Sequence, residues 1–376
     1  MKKLHICHIS SVHTTTDTRV FYRECLSLAK HFKVTLIAIG NQNANKEGVE
    51  CIALPKPSNR VKRLLLTTLH VYQAAKKIQA DVYHFHDPEL IPYALLLKWQ
   101  GKKVVYDLHE NVTESLKAKS WLPLKWLFIQ MYLLFDKLAA ANFELILAED
   151  AYVAVYQKRY PHKNTTIVRN FAPTELLLAY RKSKRDDLPF NIFYMGSIDQ
   201  LYCIEPMLHA ILLLKQKGYS PLLKLVGWVS PKVQGYIKSL PYYTQIEPNL
   251  EFLGYQDIKQ GYALSIDCSI GFSFVSDNIN VKESLPRKMF EYMQIGLPVI
   301  SSGYKTYQNM VETHQTGLCV KESNAASIAD ATEQLWNNKE MLNRFAENSI
   351  NAANASYNWE YESVKLIDFY HSLSHW

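Results

Sequence analysis

The sequence predicts an α/β protein made of two doubly wound domains, the second of which ends in a helical C-terminal segment. At 376 residues the chain is longer than one core usually organises. Strand-like and helix-like segments alternate through most of it, which is typical of parallel sheets covered by helices on both faces. The alternation pauses at the polar stretch RKSKRDDLP, residues 181–189, and then restarts. We therefore expect domains at residues 1–185 and 186–376, with the C-terminal helices in the second.

The predicted strands are short apolar runs rich in β-branched residues. In the first half they cover residues 4–9, 34–39, 49–54, 81–86, 103–108, 144–148 and 166–169. In the second half they cover residues 191–195, 222–226, 250–253, 268–274, 298–301 and 317–320. A helix is predicted over residues 18–31, where Val20, Phe21, Leu26 and Leu28 are apolar. Further helical segments run from about residue 327 to residue 371.

Composition is that of a soluble globular protein, with 48% hydrophobic and 20% charged residues. The six cysteines are scattered and include no CxxC pair, which favours reduced thiols over a disulfide framework or a zinc site. The N-terminal MKKLHICHIS has a short apolar run that His5 and His8 interrupt. We interpret it as a first strand and not as a signal peptide.

The net charge of +7 is distributed unevenly along the chain. Residues 1–185 contain 28 Lys and Arg against 15 Asp and Glu, a net +13, whereas residues 186–376 contain 14 against 20, a net −6. The basic half is expected to face something anionic. No nucleic-acid-binding motif accompanies it, so an anionic membrane surface is the preferred partner and nucleic acid is not expected.

The most apolar segment, residues 120–137, leaves two alternatives open. Its run from Trp126 to Phe135 is broken by Gln130 and has ten residues, about half of the ~20 needed to span a bilayer. On a helical wheel Lys125, Gln130, Asp136 and Lys137 share one arc. The segment is then either a helix buried against the sheet or an interfacial helix in the headgroup region.

A second segment, residues 60–78, is predicted to place Lys62, Arg63, Lys76 and Lys77 on one side of a helix. Together with the charge of the first half, this favours peripheral binding to anionic lipid. We expect a cytoplasmic protein on the inner face of the membrane.

Polar residues follow several predicted strands, at the edge where doubly wound sheets bind their ligands. They are His84, His86, Asp87, Asp107, His109, Glu110, and the pairs Gly196-Ser197 and Gly254-Tyr255. Histidines and carboxylates so grouped could bind a metal. Because no HxxxH or HExxH spacing supports one, no metal is expected.

The stretch KESLPRKMFEYMQIGLPVISS, residues 282–302, contains a helix predicted to begin at Pro286 and to end at Gly296. Arg287 and Lys288 occupy its first turn, where the helix dipole favours anions. Either they form surface pairs with Glu291, or an anion such as a diphosphate binds there.

The chain resembles the retaining glycosyltransferases of family 4, which have the GT-B architecture of two facing Rossmann-like domains. Its strongest match is Glu283 and Glu291, separated by seven residues, together with EYMQIGLPVI. HDPEL, VYDLHE and HTTTDTRVFYRECLSLAK add to the resemblance, which extends over essentially the whole chain.

The resemblance implies roles for particular residues. Glu291 would bind the ribose and Glu283 the transferred sugar, helped by the backbone at Ser284 and Leu285. His109 would act at the reacting centre, so the implied catalytic pair is His109 and Glu283. The remaining donor-binding residues are Gly196, Ser197, Tyr255, Arg287 and Lys288. The implied acceptor-side residues of the first domain are His13, Asp17, Arg19, His86 and Asp87.

Two departures from the family pattern matter. Relatives usually have an Arg and a Lys where this chain has Ser197 and Tyr202, and SSVHTTTDTR replaces the glycine-rich loop after the first strand. Either Arg287 and Lys288 take over the phosphate charge, or donor binding is weak, or activity is lost.

The sequence thus predicts a metal-independent transferase without cofactor that moves a sugar from a nucleotide-sugar, with a UDP-sugar favoured. The expected acceptor is a lipid-linked glycan in bacterial surface polysaccharide or glycan assembly. The alternatives are a nucleotide-sugar epimerase of the same fold and a non-catalytic sugar-nucleotide-binding module.

Overall fold

The computed structural model describes residues 3–109, 112–118, 123–277, 286–320 and 324–374. It separates into two compact units. The first comprises Met1–Asn170 together with Trp359–Trp376, and the second is Phe171–Asn358. Each unit has one sheet with helices on both faces, so the predicted fold class is confirmed.

The first unit contains an eight-stranded sheet in the order β3-β4-β2-β1-β5-β6-β7-β8. Its strands are β1 His5–Thr14, β2 Lys33–Ile39, β3 Ala44–Lys46, β4 Val49–Leu54, β5 Val82–Phe85, β6 Lys103–Leu108, β7 Glu144–Leu147 and β8 Thr165–Ile167. All pairings are parallel except that of β3 with β4, a short antiparallel hairpin that the sequence analysis missed. Side chains of β1 alternate between two apolar clusters, with Ile6 on one face and Cys7 and Ile9 on the other.

Helices cover both faces of this sheet. The α-helices are Leu26–Ala29, Arg60–Lys62, Thr68–Ile78, Ile91–Trp99, Val112–Ala118, Lys125–Asn142, Asp150–Arg159 and Trp359–Ser374. Val20–Cys25 and Arg63–Thr67 are π-helical, and Pro88–Leu90 is a 3₁₀ turn.

The helix predicted over residues 18–31 is real but is not a regular α-helix. Its first part is the π-helix Val20–Cys25, in which the amide of Glu24 donates to the carbonyl of Arg19. The wider turn buries Arg23 and Glu24 along with Val20 and Phe21. Such π-turns occur frequently at functional sites.

The second unit contains a six-stranded, fully parallel sheet in the order β11-β10-β9-β12-β13-β14. Its strands are β9 Asn191–Met195, β10 Leu222–Val226, β11 Leu250–Gly254, β12 Ile270–Ser273, β13 Val299–Ser302 and β14 Gly317–Val320. Its α-helices are Thr174–Leu177, Ile204–Gln216, Pro231–Lys238, Tyr243–Ile246, Ile258–Ala263, Arg287–Ile295, Lys305–His314, Ala325–Asn337 and Lys339–Ala355. Its 3₁₀ turns are Leu178–Tyr180, Gln200–Tyr202 and Glu247–Asn249.

The division of the chain differs from the expected boundary at residue 185. Arg185 lies in the polar stretch that suggested a linker, yet it is fully buried and donates to the carbonyls of Cys268, Ile295 and Gly296. The stretch is therefore part of the second unit. The helix Trp359–Ser374, which was expected in the second domain, belongs to the first unit, because Tyr370 lies in the core of that unit.

The helix Lys125–Asn142 has one buried side and one exposed side. Asp136, which shares an arc of the helix with Lys125, Gln130 and Lys137, is only 1% exposed. Trp126, at 64% exposed, and the neighbouring apolar residues Leu127, Phe128, Met131 and Leu134 point outwards. The helix therefore packs on the first unit by one side only, with Ala139 and Ala140 in the core, and the interfacial alternative stays a prediction. Within the described residues, no helix is long and apolar enough to cross a membrane.

Candidate functional site

The first unit has a cluster of histidines at the point where its strand order reverses. β1 pairs with β2 on one side and with β5 on the other, and His8 of β1 lies opposite His84 of β5. His86 follows β5, and His109 follows β6. Ligands of doubly wound sheets bind at this kind of switch point.

The cluster forms a hydrogen-bonded chain from the interior to the surface. His8 Nδ1 lies 3.1 Å from His86 Nε2, and His86 Nδ1 lies 3.2 Å from His109 Nε2. His109 Nε2 is also 2.6 Å from Asp107 Oδ2. His8 and His86 are buried, whereas the side chain of His109 is 17% exposed. Of these three hydrogen-bonded histidines, His109 is therefore the one that can contact a substrate. Its catalytic role stays a prediction.

Arg19 holds the carboxylates of this cluster. Its Nη2 lies 2.9 Å from Asp107 Oδ2, and its Nε lies 2.9 Å from Glu24 Oε1. Burial would raise the pKa of Asp107, but Arg19 and His109 outweigh it and keep that pKa well below its ordinary value. Burial raises the pKa of Glu24 well above its ordinary value, and Arg19 offsets only part of the shift. Asp107 is thus the ionised partner.

The predicted acceptor-side residues separate into buried and accessible ones. Arg19, His86 and Asp87 are buried and contact protein groups, and their acceptor-side role stays a prediction. Asp87, for example, accepts hydrogen bonds from Ser10 Oγ and the Ser11 amide, both at 2.7 Å.

His13 and Asp17 are the partly exposed members of the acceptor-side set, and they form a pair. His13 Nδ1 lies 2.9 Å from Asp17 Oδ2, and Asp17 also accepts from the amides of Arg19 and Val20. Burial would lower the pKa of His13, but Asp17 and Asp87 raise it overall. Acceptor contact by His13 and Asp17 stays a prediction.

The second unit has its own switch point at β9, which lies between β10 and β12. Gly196 follows β9 with φ +147°, a conformation that favours glycine, and a Cβ there would lie 3.0 Å from Lys288 Nζ. Gly227 follows β10, and a Cβ there would meet the Gly196 carbonyl oxygen at 1.8 Å. The two strand ends therefore approach closely, with the Lys288 ammonium beside them.

Lys288 and Arg287 open the helix Arg287–Ile295 but have different environments. Pro286 is the N-cap and not the first helical residue, and Gly296 ends the helix with φ +65° as predicted. Arg287 is exposed, whereas Lys288 is 9% exposed. Lys288 Nζ lies 4.0 Å from the centre of the Tyr194 ring and 5.0 Å from that of Tyr202.

The amino group of Lys288 is poorly satisfied. Among the described residues its Nζ has no hydrogen-bond partner, so the predicted surface pair with Glu291 is not formed as a hydrogen bond. Burial lowers the pKa of Lys288 to about 7. Cation–π contact with the two tyrosines offsets part of the desolvation. An anion at this place would complete the site.

Glu291 and Tyr255 are available at the same edge. Glu291 is partly exposed and accepts a hydrogen bond of 2.7 Å from the Tyr262 hydroxyl. Tyr255 is 78% exposed, and Ser197 is exposed with its carbonyl accepting from Tyr194. The predicted residues Glu283, Ser284 and Leu285 lie outside the described residues.

Sequence reasoning missed Glu24, Tyr194 and Tyr262 as parts of these sites. Tyr202 was noted as a replacement for a family cation, and the structure shows it packed beside Lys288. Tyr194 gave a signal, because a tyrosine two residues before the strand-end glycine is suited to cover a cation. Glu24 gave none, because its burial depends on the π-helix.

Two family models match the chain. Residues 2–176 match the model described as Glycosyltransferase Family 4, and residues 179–352 match the model described as Glycosyl transferases group 1. No curated protein matches the sequence significantly.

Solved structures resemble the whole chain. Sucrose-phosphate synthase from Thermosynechococcus elongatus has a TM-score of 0.76 and 16% identity, with 99% of this chain and 100% of that one covered. HepE from Anabaena in complex with UDP-glucose has a TM-score of 0.69 and 15% identity, with 98% of this chain and 100% of that one covered. WaaG, a glycosyltransferase involved in lipopolysaccharide biosynthesis, has a TM-score of 0.69 and 15% identity, with 97% of this chain and 99% of that one covered. The fold is therefore GT-B.

Proposed function

Because the chain belongs to the family 4 glycosyltransferases, we propose that it is a retaining transferase that moves a sugar from a nucleotide-sugar to a lipid-linked glycan acceptor. A UDP-sugar is the favoured donor, and assembly of a bacterial surface polysaccharide or glycan is the favoured setting. In support, HepE was solved with UDP-glucose, and WaaG is named for lipopolysaccharide biosynthesis.

The observation that carries this proposal is the buried Lys288 ammonium without a hydrogen-bond partner in the described structure. Burying a cation without a counter-charge costs free energy, and the lowered pKa of Lys288 expresses that cost. A diphosphate would supply the missing charge, and the N-terminus of the helix Arg287–Ile295 would add its dipole. Exposed Arg287 can add a second cation.

The proposed reaction breaks the bond between the sugar anomeric carbon and the diphosphate oxygen. The acceptor oxygen attacks the same face of an oxocarbenium-like sugar, and its proton passes to the departing phosphate oxygen, so the anomeric configuration is retained. Lys288 would stabilise the negative charge that develops on the diphosphate. Glu291 would bind the ribose hydroxyls, with its other contact to Tyr262 fixing the carboxylate.

Glu283 and His109 are proposed to act on the transferred sugar. His109 is held by Asp107 and His86, which fixes the direction of its ring. Transfer is proposed to be metal-independent, because Lys288, Arg287 and the helix dipole can together balance the diphosphate. Tyr255 and the Gly254 backbone would flank the base.

We also propose that the first unit binds the anionic inner face of the membrane. The exposed apolar side of the helix Lys125–Asn142 would insert at the headgroup level. The exposed side chains of Lys62, Lys76 and Lys77 would supply charge attraction. Arg63, predicted with them, instead pairs with Glu89 at 2.8 Å and contributes less.

A donor screen followed by an assay tests the function. A thermal-shift panel of sugar nucleotides should identify the donor by its stabilisation of the fold. Product made from that donor and a lipid-linked sugar should retain the donor's anomeric configuration by NMR. An inverted product would contradict the retaining mechanism. Release of a 2-epimer without acceptor would indicate the epimerase, and binding without turnover the non-catalytic module.

Variants separate chemistry from binding. Glu283→Gln and His109→Ala should each lower turnover by on the order of 100-fold or more, about 2.7 kcal/mol of barrier. Their nucleotide affinity should change much less, whereas Glu291→Ala should lose mainly affinity. Full turnover in both of the first two variants would remove them from the mechanism.

A further inference from the structure

Behind His109, four potential metal ligands converge where β1, β5 and the π-helix Val20–Cys25 meet. They are His8, Glu24, His84 and His86, none more than 3% exposed. One nitrogen or oxygen atom of each lies within 4.8 Å of the others. This cluster lies on the interior side of the histidine chain, and its link to the steps proposed above is His86, which holds the ring of His109.

The distances are close to those of a tetrahedral metal site. His8 Nδ1 and His86 Nε2 are 3.1 Å apart, and Glu24 Oε2 lies 3.8 Å from the first and 4.0 Å from the second. Ligands of tetrahedral Zn²⁺ bound at ordinary lengths lie about 3.4 Å apart. The separations of these three atoms lie on both sides of that value, and an atom of His84 lies within 4.8 Å of them, so a bound cation would draw the ligand atoms together by up to about 1.4 Å.

Buried atoms in the cluster lack partners in the described structure. Neither carboxylate oxygen of Glu24 accepts a hydrogen bond, and neither does His84 Nε2, whose ionic contact with Asp107 Oδ2 is 3.8 Å long. Arg19 Nε is 2.9 Å from Glu24 Oε1, but its N–H is directed at His109 and Asp107, so this contact is ionic only. Buried polar atoms in native proteins nearly always have partners, and a cation would satisfy these.

Outer contacts already orient the ligands. The Tyr370 hydroxyl lies 2.6 Å from His84 Nδ1, and Asp107 Oδ2 lies 3.4 Å from His86 Nδ1. A carboxylate or hydroxyl on the far nitrogen is the usual support of a metal-bound histidine.

We propose that His8, Glu24, His84 and His86 bind one divalent first-row cation, with Zn²⁺ preferred. Three imidazoles and one carboxylate, all from the protein, make a closed and therefore structural site. The cation would tie β1, β5 and the π-helix together. By occupying His86 Nε2 it would keep His86 Nδ1 directed at Asp107 and His109, so His86 would act as a positioning residue. The proposal does not depend on the transferase function.

Metal content of the intact chain is the first test. Protein purified with a tag that contains no histidine should hold about one zinc per chain by mass spectrometry. Removal by a chelator should lower the unfolding temperature, and Zn²⁺ alone should restore it. Co²⁺ added to the stripped protein should give the intense visible absorption of a tetrahedral site. Absence of both zinc uptake and this absorption would overturn the proposal, whatever the variants do.

Variants locate the cation. Glu24→Gln and His84→Gln should each weaken Zn²⁺ binding by on the order of 100-fold or more, and Tyr370→Phe by about 10-fold. His5→Gln is the matched control, because His5 is a buried β1 histidine that contacts Thr35 and lies outside the cluster. It should bind Zn²⁺ like the wild type. Unchanged binding in both ligand variants would overturn the assignment.

Discussion

Lys288 and Arg287 are adjacent in sequence, yet burial assigns them different tasks. The sequence could place both in the first turn of a helix, where an anion is favoured. It could not show that Lys288 turns inward over Tyr194 and Tyr202 while Arg287 stays exposed. The buried cation is therefore the stronger determinant of diphosphate binding, because its charge is the less compensated one.

Replacement of Lys288 should reveal this directly. Lys288→Met should weaken UDP binding by about 1.5–3 kcal/mol, roughly 10- to 150-fold, since it removes a charge-assisted contact. Calorimetric titration measures the effect. Lys232→Met is the matched control, because Lys232 is an exposed lysine in the first turn of the helix Pro231–Lys238. An unchanged affinity in Lys288→Met would contradict the proposed role.

Proton uptake on binding should follow from the same lysine. The pKa of free Lys288 is lowered to about 7, so most molecules carry a neutral amine at pH 8. A bound diphosphate favours the charged form, and binding at pH 8 should therefore take up close to one proton. UDP affinity should fall by up to about tenfold per pH unit above 7. Titration in buffers of different ionisation enthalpy measures the uptake, which Lys288→Met should abolish.

In the protein without nucleotide, the lowered pKa of Lys288 should make the folding stability depend on pH. The folded-state pKa of Lys288, about 7, lies below its ordinary 10.5, so the unfolded chain binds the extra proton between these values. The penalty from Lys288 is therefore greatest below pH 7 and disappears as the pH rises to 10.5. Without nucleotide, the melting temperature of Lys288→Met should exceed that of the wild type at pH 6. The difference should be smaller at pH 10. Equal melting-temperature differences at both pH values would contradict this.

At the scale of elements, the bounds of the strands were predictable, but the type of one helix and the inward side of another were not. The predicted bounds of β4, β6, β9, β10 and β14 agree with the structure, because these buried strands are short apolar runs between polar breaks. The π-helix was not predictable, since its residues also suit an α-helix. The inward side of the helix Lys125–Asn142 was not predictable either, because tertiary contacts at Asp136 decide which side faces inwards.

Asp136 should be essential to the placement of that helix. Its Oδ2 lies 2.7 Å from Arg159 Nη1, and its carboxylate accepts hydrogen bonds from the hydroxyls of Tyr132, Tyr156 and Tyr160. Asp136→Asn should lower the free energy of unfolding by about 3–5 kcal/mol, because it leaves a partly buried arginine without its counter-charge. Denaturant unfolding measures this. Asp150→Asn, which breaks the exposed pair with Arg169, should cost about 1 kcal/mol or less.

The exposed face of the same helix should bind membranes. Wild type should sediment with anionic vesicles and dissociate as salt is raised, because surface attraction is screened. Combined Trp126→Gln, Phe128→Gln and Leu134→Gln should reduce binding at every salt concentration, since the apolar contact is lost. Combined Lys62→Gln, Lys76→Gln and Lys77→Gln should reduce mainly the salt-sensitive part.

Val364→Gln removes an equally exposed apolar residue from the helix Trp359–Ser374 and serves as the control for membrane binding. It should bind vesicles like the wild type. Equal binding of wild type to neutral and anionic vesicles would contradict the charge attraction, and full binding by the apolar triple variant would contradict insertion of the helix.

At the scale of the whole molecule, the sequence predicted two doubly wound units but not where the chain divides. Residues 181–189 are polar, yet Arg185 is fixed by three backbone carbonyls that come together only in the folded second unit. The last helix looks like a continuation of the helices before it. Its apolar residues belong to the first core, which no local pattern indicates. Long-range packing therefore decided both boundaries.

The return of the chain to the first unit gives a prediction that separates the two units. Deletion of residues 359–376 removes Trp359, Leu366 and Tyr370 from the core that contains Val34 and Leu36. Loss of large buried side chains costs about 2–5 kcal/mol each, so their sum approaches the stability of an ordinary domain, about 5–15 kcal/mol. Hydrogen exchange should then show lost protection in β1 and β2 but retained protection in β9 and β10, which serve as the internal control. Tyr370→Phe keeps the ring and should cause only a small loss, because the hydrogen bond to His84 contributes about 1 kcal/mol. Equal loss of protection in both sheets, or none in β1 and β2, would show that the last helix does not support the first unit selectively.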